Sequence, residues 1–479
     1  MSSIPDPIFK KNLKNISWKK IYEREYGVGY SQAAITLLSG IAKDHFPNSS
    51  TMQVVIPTQG TNTAFYIDAD SWILLVEGIN NKHTTSAKSL AAYEKRFFQD
   101  GKNYVKTAKQ ISSKNLTKHT DRDLLRDYLL YQNVLLRYSV FPWSAFILNN
   151  YVSEKAAAII DGYIAKHKRQ KNKQSIHDSL FRPEKRAAVL QLQYDVEKHN
   201  GKVSNALLDK LYQQYKWLSC LDLHNKPWTK AEFTQHIASF QKSPKKKELS
   251  FSKVLKDLRI AKKDSDYLTM AKRFVYIKDA RDDFRRQGIY SILPFFYEVA
   301  KRMGIHPTDI TYLQSSEIIS FLSGKSSLDK NKINQRKKGF VLYLNAKRQC
   351  VCLQGKDIQP AITMLGLLLK EEKIVQLTGS VASQGKVRGS VIIVKGVKDL
   401  PKVTKGAILV AVTTHPDYVS AMRIASAIVT DEGGITSHAA IVSREFGIPC
   451  IVGTKHATTL LKNGDFIEVD AIVGKIKML

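Results

Sequence analysis

The chain has 479 residues, of which 43% are hydrophobic and 9% aromatic, and these ordinary globular values exclude a wholly disordered protein. At about 100–200 residues per domain, this length predicts two to four domains. Lysine and arginine number 74 against 43 aspartate and glutamate residues, which gives a formal net charge of +31. Such a charge favours anionic partners, among them nucleotides, phosphorylated substrates, acidic proteins and nucleic acids, without choosing among them.

The cysteines and the apolar stretches exclude two further classes of protein. Four cysteines are too few and too scattered for a disulfide framework. Cys350 and Cys352 have no second pair or nearby histidine that would complete a zinc site, so we expect structural roles and no metal. The N-terminus lacks an apolar core of signal-peptide length, and the apolar stretch 128–152 is interrupted by Arg137 and Pro142. We therefore expect a cytoplasmic protein without a membrane span.

Net charge is distributed unevenly along the sequence. The segment 371–479 has a net charge of +3, so +28 of the total lies in residues 1–370. Two polar basic stretches, 166–186 and 241–250, contribute to this excess, and we expect them to be solvated loops or linkers. An arm that binds nucleic acid is the less favoured alternative, because aromatic residues are sparse among these lysines.

The pattern before residue 371 is mostly helical. Apolar residues at helical spacing predict helices over 18–42, 86–110, 121–165 and, as two or more helices, 264–324. Apolar runs with turn residues between them predict short strands within 52–79 and a strand pair within 333–355. The chain is therefore predicted to be multidomain α+β. Its predicted divisions are a helix-rich region with short strands (1–165), a basic helical or linker region (166–260), a helical segment with a strand pair (261–370) and a compact α/β domain (371–479).

Strand-like and helix-like patterns alternate in the C-terminal domain. Residues 408–413 and 426–430 are short apolar runs rich in β-branched residues, and a helix-like segment lies between them. The glycines of the 433–434 pair then allow a tight turn. Thr436 or Ser437 can cap the helix that follows, whose sequence is HAAIVSREF and which a glycine ends.

His438 lies in the first turn of that predicted helix. The backbone N–H groups and the positive helix end at this position suit a phosphate group. An imidazole there can accept a phosphoryl group as a nucleophile, and the positive helix end favours its neutral, attacking form. Thr436 and Ser437 can hydrogen-bond the ring or the phosphoryl oxygens, and Gly433 and Gly434 support the phosphate from the turn. A histidine that only caps the helix, without reacting, is the alternative.

The phrase GGITSHAAIVSREFGIPCIVGT (433–454) closely resembles the phosphohistidine swivelling (mobile) domain of phosphoenolpyruvate-utilising enzymes. The family pattern is Gly-Gly, two residues, Ser-His-Ala-Ala-Ile-Val, then Arg-Glu, Gly-Ile-Pro and Val-Gly, and the sequence contains all of it. The segment 379–394 is similar to the opening strands of that domain. The segment 408–422 is similar to the strand that precedes its Asp-Tyr pair.

This resemblance implies a swivelling β/β/α domain in which His438 carries a phosphoryl group, and hence a phosphotransferase. The domain itself binds no cofactor, and ATP with magnesium, or phosphoenolpyruvate, acts through a donor. Family enzymes pair the carrier with an ATP-grasp domain, with a phosphoenolpyruvate-binding barrel, or with both, and the sequence shows neither pattern. We therefore expect a separate ATP-grasp donor protein, and an anionic small-molecule or protein acceptor bound by the N-terminal region.

A weaker resemblance, to rifampin-phosphotransferase-like proteins, covers residues 278–318. Three residues of the shared phrase are expected to be structural: Asp309, Leu313 and Glu317. Four cations are expected to form a solvated helix face, with contact to an anionic substrate as the alternative: Lys278, Arg281, Arg285 and Arg286. Arg444 is expected to pair with a carboxylate rather than to touch phosphate. The glycines within 26–30 are interpreted as a helix irregularity rather than a phosphate loop.

Two other interpretations of the whole protein stay open. A non-catalytic binding or regulatory protein would keep the domain as a docking module. The missing donor site favours this interpretation, and the intact GGITSHAAI phrase opposes it. A nucleic-acid-binding protein would use the upstream charge and would bind with a steep dependence on salt.

Overall fold

The computed structural model describes residues 16–48, 52–58, 62–169, 172–199, 203–238, 240, 249–345, 347–367, 377–414, 418–434 and 437–479. Two sheets organise these residues, one with five strands and one with eight, and long helices surround the first. The predicted multidomain α+β fold is confirmed. The predicted boundary at residue 371 lies outside the described residues, and the boundaries at 165 and 260 stay predictions.

The first sheet is antiparallel, with the strand order β1-β3-β2-β4-β5. Its strands are β1 (Trp18–Arg24), β2 (Gln53–Pro57), β3 (Thr63–Asp68), β4 (Phe340–Leu344) and β5 (Cys350–Gln354). The predicted strand pair within 333–355 is confirmed, because β4 and β5 are adjacent partners. The pairing of β2 with β4 joins the two ends of the upstream region in one sheet.

The described helices before residue 377 are α1 (Val28–Thr36), α2 (Ala69–His83), α3 (Ala87–Ser112), α4 (Asp121–Lys166), α5 (Lys173–Phe181), α6 (Ala188–Lys198), α7 (Asn205–Tyr215), α8 (Lys230–Ala238), α9 (Phe251–Asp257), α10 (Lys262–Met303), α11 (Ser315–Leu322), α12 (Lys330–Arg336) and α13 (Ile358–Met364). A π-helical turn (Leu37–Ile41) follows α1, and short 3-10 turns span Leu116–Lys118, Lys216–Ser219, Pro307–Tyr312 and Gly355–Asp357. The helices predicted over 86–110, 121–165 and 264–324 are confirmed.

Two predictions in the N-terminal part are wrong. Residues 18–24 form strand β1 instead of the start of a helix, and an irregular register between Lys20 and Tyr22 breaks the alternation that would have indicated a strand. The apolar run at 72–79 is helical instead of extended. Asp68 caps this helix by accepting a hydrogen bond from Ser71 N at 2.9 Å, and one side of the helix stays exposed.

The basic stretch 166–186 is also more ordered than predicted. Helix α5 lies within it, and the apolar side chains of Ile176, Leu180 and Phe181 are buried in the main core. These apolar residues are spaced for one helix face, which the surrounding charges concealed in the sequence. Most of the second stretch, 241–248, lies outside the described residues.

The main core lies between the first sheet and helices α3, α4 and α10. Helices α4 and α10 span Asp121–Lys166 and Lys262–Met303, and aromatic side chains fill the space between them and α3. No helix in the described part of the chain is long and apolar enough to cross a membrane. Helices α3, α4 and α10 thus form the centre of the main core, against which the other elements pack.

The second sheet holds the C-terminal part of the chain, with the strand order β6-β13-β12-β8-β9-β10-β11-β7. Its strands are β6 (Leu377–Thr378), β7 (Ser380–Ser383), β8 (Lys386–Ile393), β9 (Ile408–Ala411), β10 (Ala427–Thr430), β11 (Cys450–Val452), β12 (Phe466–Asp470) and β13 (Lys475–Met478). Its helices are α14 (Val419–Ile424), α15 (His438–Phe446) and α16 (Ala457–Leu460), and a 3-10 turn spans Val397–Lys402. Strands β8, β9, β10 and β11 are parallel, as the alternating strand and helix pattern requires.

The C-terminal part packs against the upstream part at two places. Helices α6, α7 and α8 share a continuous apolar core with α14, α15 and one face of the second sheet. Ile441, on the opposite side of α15, is buried among residues of the main core. Helix α15 is thus held between the two parts of the molecule.

Candidate functional site

The turn before helix α15 has the conformation that its sequence predicts. Gly433 has a φ of 106°, which favours glycine, and a Cβ there would lie 2.8 Å from the Cβ of Ser437. Ser437 is the N-cap, and its Oγ accepts a hydrogen bond from Ala440 N at 3.2 Å. The other predicted cap, Thr436, lies outside the described residues. His438 is the first residue of the helix, where the positive helix end lies.

Thr414 orients the ring of His438. Its Oγ1 lies 3.0 Å from His438 Nδ1, within hydrogen-bonding distance. Thr414 is 5% exposed and lies three residues after the end of strand β9. When Nδ1 carries the ring proton and donates it to Thr414, the lone pair of the neutral ring lies on Nε2.

Asp431 stabilises the turn through hydrogen bonds to residues that follow strand β11. It is buried at the end of β10, and it accepts hydrogen bonds from Thr454 Oγ1 at 3.0 Å and from the hydroxyl of Thr458. Burial raises the pKa of the Asp431 carboxyl, which these hydrogen bonds oppose. Burial also raises the pKa of Glu432, and the neighbouring Asp431 adds to that increase. The turn is therefore held to the sheet by side chains that lie away from the ring.

His438 faces a cavity of about 310 Å³ between the two parts of the molecule. The C-terminal part contributes Thr413, Thr414, Glu432, Gly433, Gly434, Ser437 and His438. The opposite wall comes from β1, α2, α4 and α10. Gly434 lies against this wall, because a Cβ there would be 2.8 Å from Asn150 Oδ1. The two predicted glycines and the histidine thus lie at an interface rather than at an open surface.

Charged side chains of β1 and α10 line that opposite wall: Lys19, Lys20, Arg24, Lys278, Asp279, Arg281 and Asp282. Lys278 Nζ lies 3.0 Å from Asp279 Oδ1, and burial lowers the pKa of Lys278. Arg281 donates from Nη1 to Pro142 O at 2.9 Å. The predicted solvated helix face is therefore wrong for this part of α10. Lys278 is buried, and Arg281 is hydrogen-bonded to the neighbouring helix α4.

Two arginines of the same helix have a structural role. Arg285 is 5% exposed, and it donates to Leu221 O and to the hydroxyls of Tyr26 and Tyr30. Arg286 is fully buried. Both lie one or two turns beyond the wall that faces His438, so they support the helix rather than the cavity.

A family model matches residues within the C-terminal part of the chain. The family model "PEP-utilising enzyme, mobile domain" matches residues 403–474. The phosphoenolpyruvate synthase of Pyrococcus furiosus is 54% identical over 106 residues, which are 22% of this chain and 13% of that protein. The probable phosphoenolpyruvate synthase of Methanothermobacter thermautotrophicus is 46% identical over 119 residues, 24% of this chain and 17% of that protein.

Residues 403–474 form a mobile domain of the PEP-utilising enzyme family. The uncharacterized phosphotransferase YvkC of Bacillus subtilis is similar to the same part of the chain, with 38% identity over 126 residues that cover 26% of this chain and 15% of YvkC. The matched segment is thus less than a fifth of each of these relatives. The upstream wall of the cavity lies outside the family match.

The far end of α15 fixes the mobile domain against helix α5. Arg444 donates from Nη1 to Ala382 O at 3.2 Å, and it lies close enough to Asp178 for electrostatic attraction, as the sequence predicts for a carboxylate neighbour. Burial lowers the pKa of Arg444. Burial also raises the pKa of Glu445 to about 7, although Arg186 and Arg182 oppose this increase. Arg444 thus has a place in the interface and is remote from His438.

Several residues around the site escaped prediction from the sequence. Thr414 precedes the mobile-domain helices and has no local motif of its own. Lys20 and Arg24 lie in β1, which was mistaken for a helix. The glycines of 26–30 behave structurally: Gly27 is the N-cap of α1, and its N–H donates to Asp222 Oδ2 at 2.9 Å. Only the pairing of β1 with β3 brings Lys20 and Arg24 to the cavity.

The residues upstream that were predicted to be structural lie away from this cavity. Glu317 accepts hydrogen bonds from Arg336, and Lys337 lies 2.7 Å from Asp309. Leu313 is 1% exposed. Cys350 and Cys352 are partly buried beside Arg336, and burial raises the pKa of each thiol to about 12. No group of three or more histidine, cysteine, aspartate or glutamate side chains within the described residues is arranged to hold a metal ion.

Proposed function

We propose that this protein is a phosphotransferase component in which His438 of the mobile domain carries a phosphoryl group between a donor and an acceptor. One observation carries the proposal: the oriented ring of His438 faces a cavity whose other wall bears several cations. A histidine that only capped the helix would need neither the contact with Thr414 nor this wall. Ser437 already performs the capping role.

The chemistry follows from the two nitrogens of the ring. With Nδ1–H donating to Thr414 Oγ1, Nε2 attacks the phosphorus of the donor. The N–P bond forms as the bond between phosphorus and the donor oxygen breaks, and the donor keeps that electron pair. The positive end of α15 offsets part of the charge on the phosphoryl oxygens.

The phosphoryl donor is proposed to be a separate protein, which is either an ATP-grasp protein or a phosphoenolpyruvate-dependent protein. ATP with magnesium, or phosphoenolpyruvate, then enters through that donor, where magnesium neutralises the phosphate charge. The upstream part of this chain is proposed to hold the acceptor, because its wall faces His438 when the mobile domain is packed on it.

The proposal requires the mobile domain to move. In the packed arrangement, His438 is partly buried and faces a cavity lined by β1, α2, α4 and α10, so the upstream part limits the approach of a donor protein. Phosphorylation therefore takes place with the domain displaced, and transfer to the acceptor takes place with it packed.

Incubation with a donor tests the function. Wild type and His438→Ala are incubated with magnesium and radiolabelled ATP, or with labelled phosphoenolpyruvate, each alone and with an ATP-grasp partner protein. We expect an acid-labile, alkali-stable label on wild type in the presence of the partner, and none on His438→Ala. Full phosphotransfer by His438→Ala would disprove the proposal. Ala439→Gly, a change at the next residue that keeps the ring, is the matched control.

A further inference from the structure

Arg24 differs from the other cations around the His438 cavity. Lys20 lies 3.1 Å from Glu23, Lys278 is paired with Asp279, and Arg281 donates to a backbone oxygen. Arg24 is half-buried at the end of β1. Within the described residues, its guanidinium makes no hydrogen bond or ion pair, and it interacts through electrostatic effects with Tyr26, Asp282, Tyr418 and Arg285. Lys19 also lacks such a partner, but it is more exposed than Arg24.

The Arg24 guanidinium is only partly withdrawn from water, and its donors, from which no group of the described residues accepts, are available to a ligand in the cavity. Its planar fork of donors matches the oxygens of a phosphate or carboxylate group. The neighbouring Asp282 offsets part of its charge but accepts no hydrogen bond from it. An anion in the cavity would restore both the hydrogen bonds and the charge balance.

Arg24 also connects the His438 cavity to a larger one. This second space, which we call the junction cavity, has a volume of about 620 Å³ and shares Lys20, Arg24 and Thr413 with the His438 cavity. Both parts of the molecule line it. Its apolar and aromatic walls include Ile56, Tyr66, Ile362, Leu367, Val394 and Val412. Its volume is in the range of sites for drug-sized molecules, about 300–1,000 Å³.

We infer that Arg24 binds the phosphoryl group during its transfer from His438, and that the acceptor is a hydroxylated organic molecule with an apolar or aromatic body that lies in the junction cavity. This inference rests on the proposed function and deepens it. A two- or three-carbon acid would leave most of the junction cavity empty, so the acceptor is larger than such an acid.

The transfer step balances with the groups on the cavity wall. The N–P bond breaks, and its electron pair returns to Nε2 of His438. The acceptor oxygen forms the new P–O bond, and its proton passes to the carboxylate of Asp282, which lines the same cavity. Arg24 stays charged throughout and stabilises the phosphoryl oxygens on both sides of the step.

Binding of inorganic phosphate to the full-length protein tests the role of Arg24, by calorimetry. We expect Arg24→Gln to weaken phosphate binding at least about tenfold, the effect of losing a charged hydrogen-bond donor. Arg24→Lys keeps the charge and should fall between Arg24→Gln and wild type. Arg122→Gln, at an exposed arginine of α4 that lines neither cavity, is the control, expected within about twofold of wild type. Equal binding by Arg24→Gln, or no saturable binding by wild type, would overturn the inference.

A phosphate ester tests the place of the acceptor body. We expect 1-naphthyl phosphate to bind at least about tenfold more tightly than inorganic phosphate, because its rings bury apolar surface in the junction cavity. Val412→Phe should remove this gain in affinity and leave the binding of inorganic phosphate unchanged. Val412 lines the junction cavity but not the His438 cavity. An ester that binds no more tightly than phosphate would contradict the assignment.

These measurements separate the inference from the function on which it rests. Both use non-covalent ligands, so phosphate binding that depends on Arg24 is measured on wild type without phosphorylation of His438. If that binding is present but His438 is never phosphorylated by any donor, the proposed function fails while the anion site remains. If His438 is phosphorylated but Arg24→Gln binds phosphate as wild type does, the inference alone fails.

Discussion

The mobile domain and the upstream region differ in what they bring to the cavity between them. The mobile domain has nearly balanced charges, a net of +3 over 371–479, and presents a histidine whose ring contacts Thr414 of the same domain. The upstream region carries +28 and contributes the cations of β1 and α10. The proposed nucleophile and the cations proposed to stabilise a phosphoryl group thus come from different parts of the chain. The site is complete only when the two parts are packed together.

The largest expected effect comes from substitutions in helix α15, which packs against both parts of the molecule. Ile441 is buried in the main core, and Val442, the next residue, is buried in the core of the mobile domain. We expect Ile441→Ala to weaken packing of the domain on the upstream region by about 2–5 kcal/mol, the cost of truncating a buried side chain. Hydrogen exchange should show loss of protection at α5 and α15 while the second sheet keeps it.

Val442→Ala is the matched control for this comparison. It should lower protection throughout the second sheet, because Val442 packs inside the mobile domain. The same exchange pattern in both variants would mean that the two parts unfold as one unit, and it would contradict the division drawn above.

The orientation of the ring tests what the mobile domain contributes alone. Thr414→Val removes the hydroxyl beside Nδ1 and keeps the shape of the side chain. We expect His438 phosphorylation to slow by about tenfold, as for the loss of one hydrogen bond of about 1.4 kcal/mol. Thr413→Val is the control, since Thr413 makes no contact with the ring that the structure records, and it should change the rate little. Equal rates in the two variants would show that the Thr414 contact is dispensable.

The glycine turn tests the local geometry with a smaller effect. We expect Gly433→Ala to lower the free energy of unfolding by about 1–2 kcal/mol, because its φ of 106° is unfavourable for a residue with a Cβ. Gly396→Ala, at a residue with an extended φ of −171° and no heavy atom within 4 Å of the added Cβ, is the control. Denaturant unfolding measures both. A larger loss of unfolding free energy in Gly396→Ala than in Gly433→Ala would contradict the assignment of backbone strain to residue 433.

The pH dependence of packing is the smallest expected effect. Burial raises the pKa of Glu445 from 4.5 to about 7, so the packed state favours its protonated form. The stabilisation is complete below about pH 4.5 and is lost as the pH rises through about 7. The groups that act on Glu445 electrostatically are Arg182, Arg186, Glu197 and Asp279.

The variant Glu445→Gln should flatten this dependence between pH 4.5 and 7. Unfolding free energies at several pH values measure it, and Glu154→Gln, a change at an exposed carboxylate of α4, is the control. A slope that persists in Glu445→Gln would assign it to another group.

The C-terminal fold was predictable because its signals are local. Gly433, Ser437 and the helix they introduce are determined by neighbouring residues, and the parallel strands are short apolar runs. The resemblance to a known family added the role of His438. The packing partner of α15 was not predictable, because nothing in its sequence distinguishes Ile441, which packs outward, from Val442, which packs inward.

The upstream wall was hidden for a different reason. The register of β1 is irregular between Lys20 and Tyr22, so its apolar residues Ile21 and Tyr22 are consecutive instead of alternating. The sequence therefore shows neither a clear strand pattern nor a clear helix pattern, and Arg24 was overlooked. In α10, the charges around Lys278 indicate a solvated helix face. Lys278 is nevertheless buried, and the local sequence pattern gives no sign of the long-range packing that buries it. Long-range packing decides both cases.

Chemical phosphorylation tests the central claim that His438 is the phosphoryl carrier. The full-length protein is treated with phosphoramidate, a donor that needs no partner protein, and intact mass, peptide mapping and phosphorus NMR locate the label among its 12 histidines. The account predicts one phosphoryl group per chain, on Nε2 of His438, and none on His438→Ala at matched reaction times. A label that forms equally on His438→Ala, or that is spread evenly over the other histidines, would contradict it.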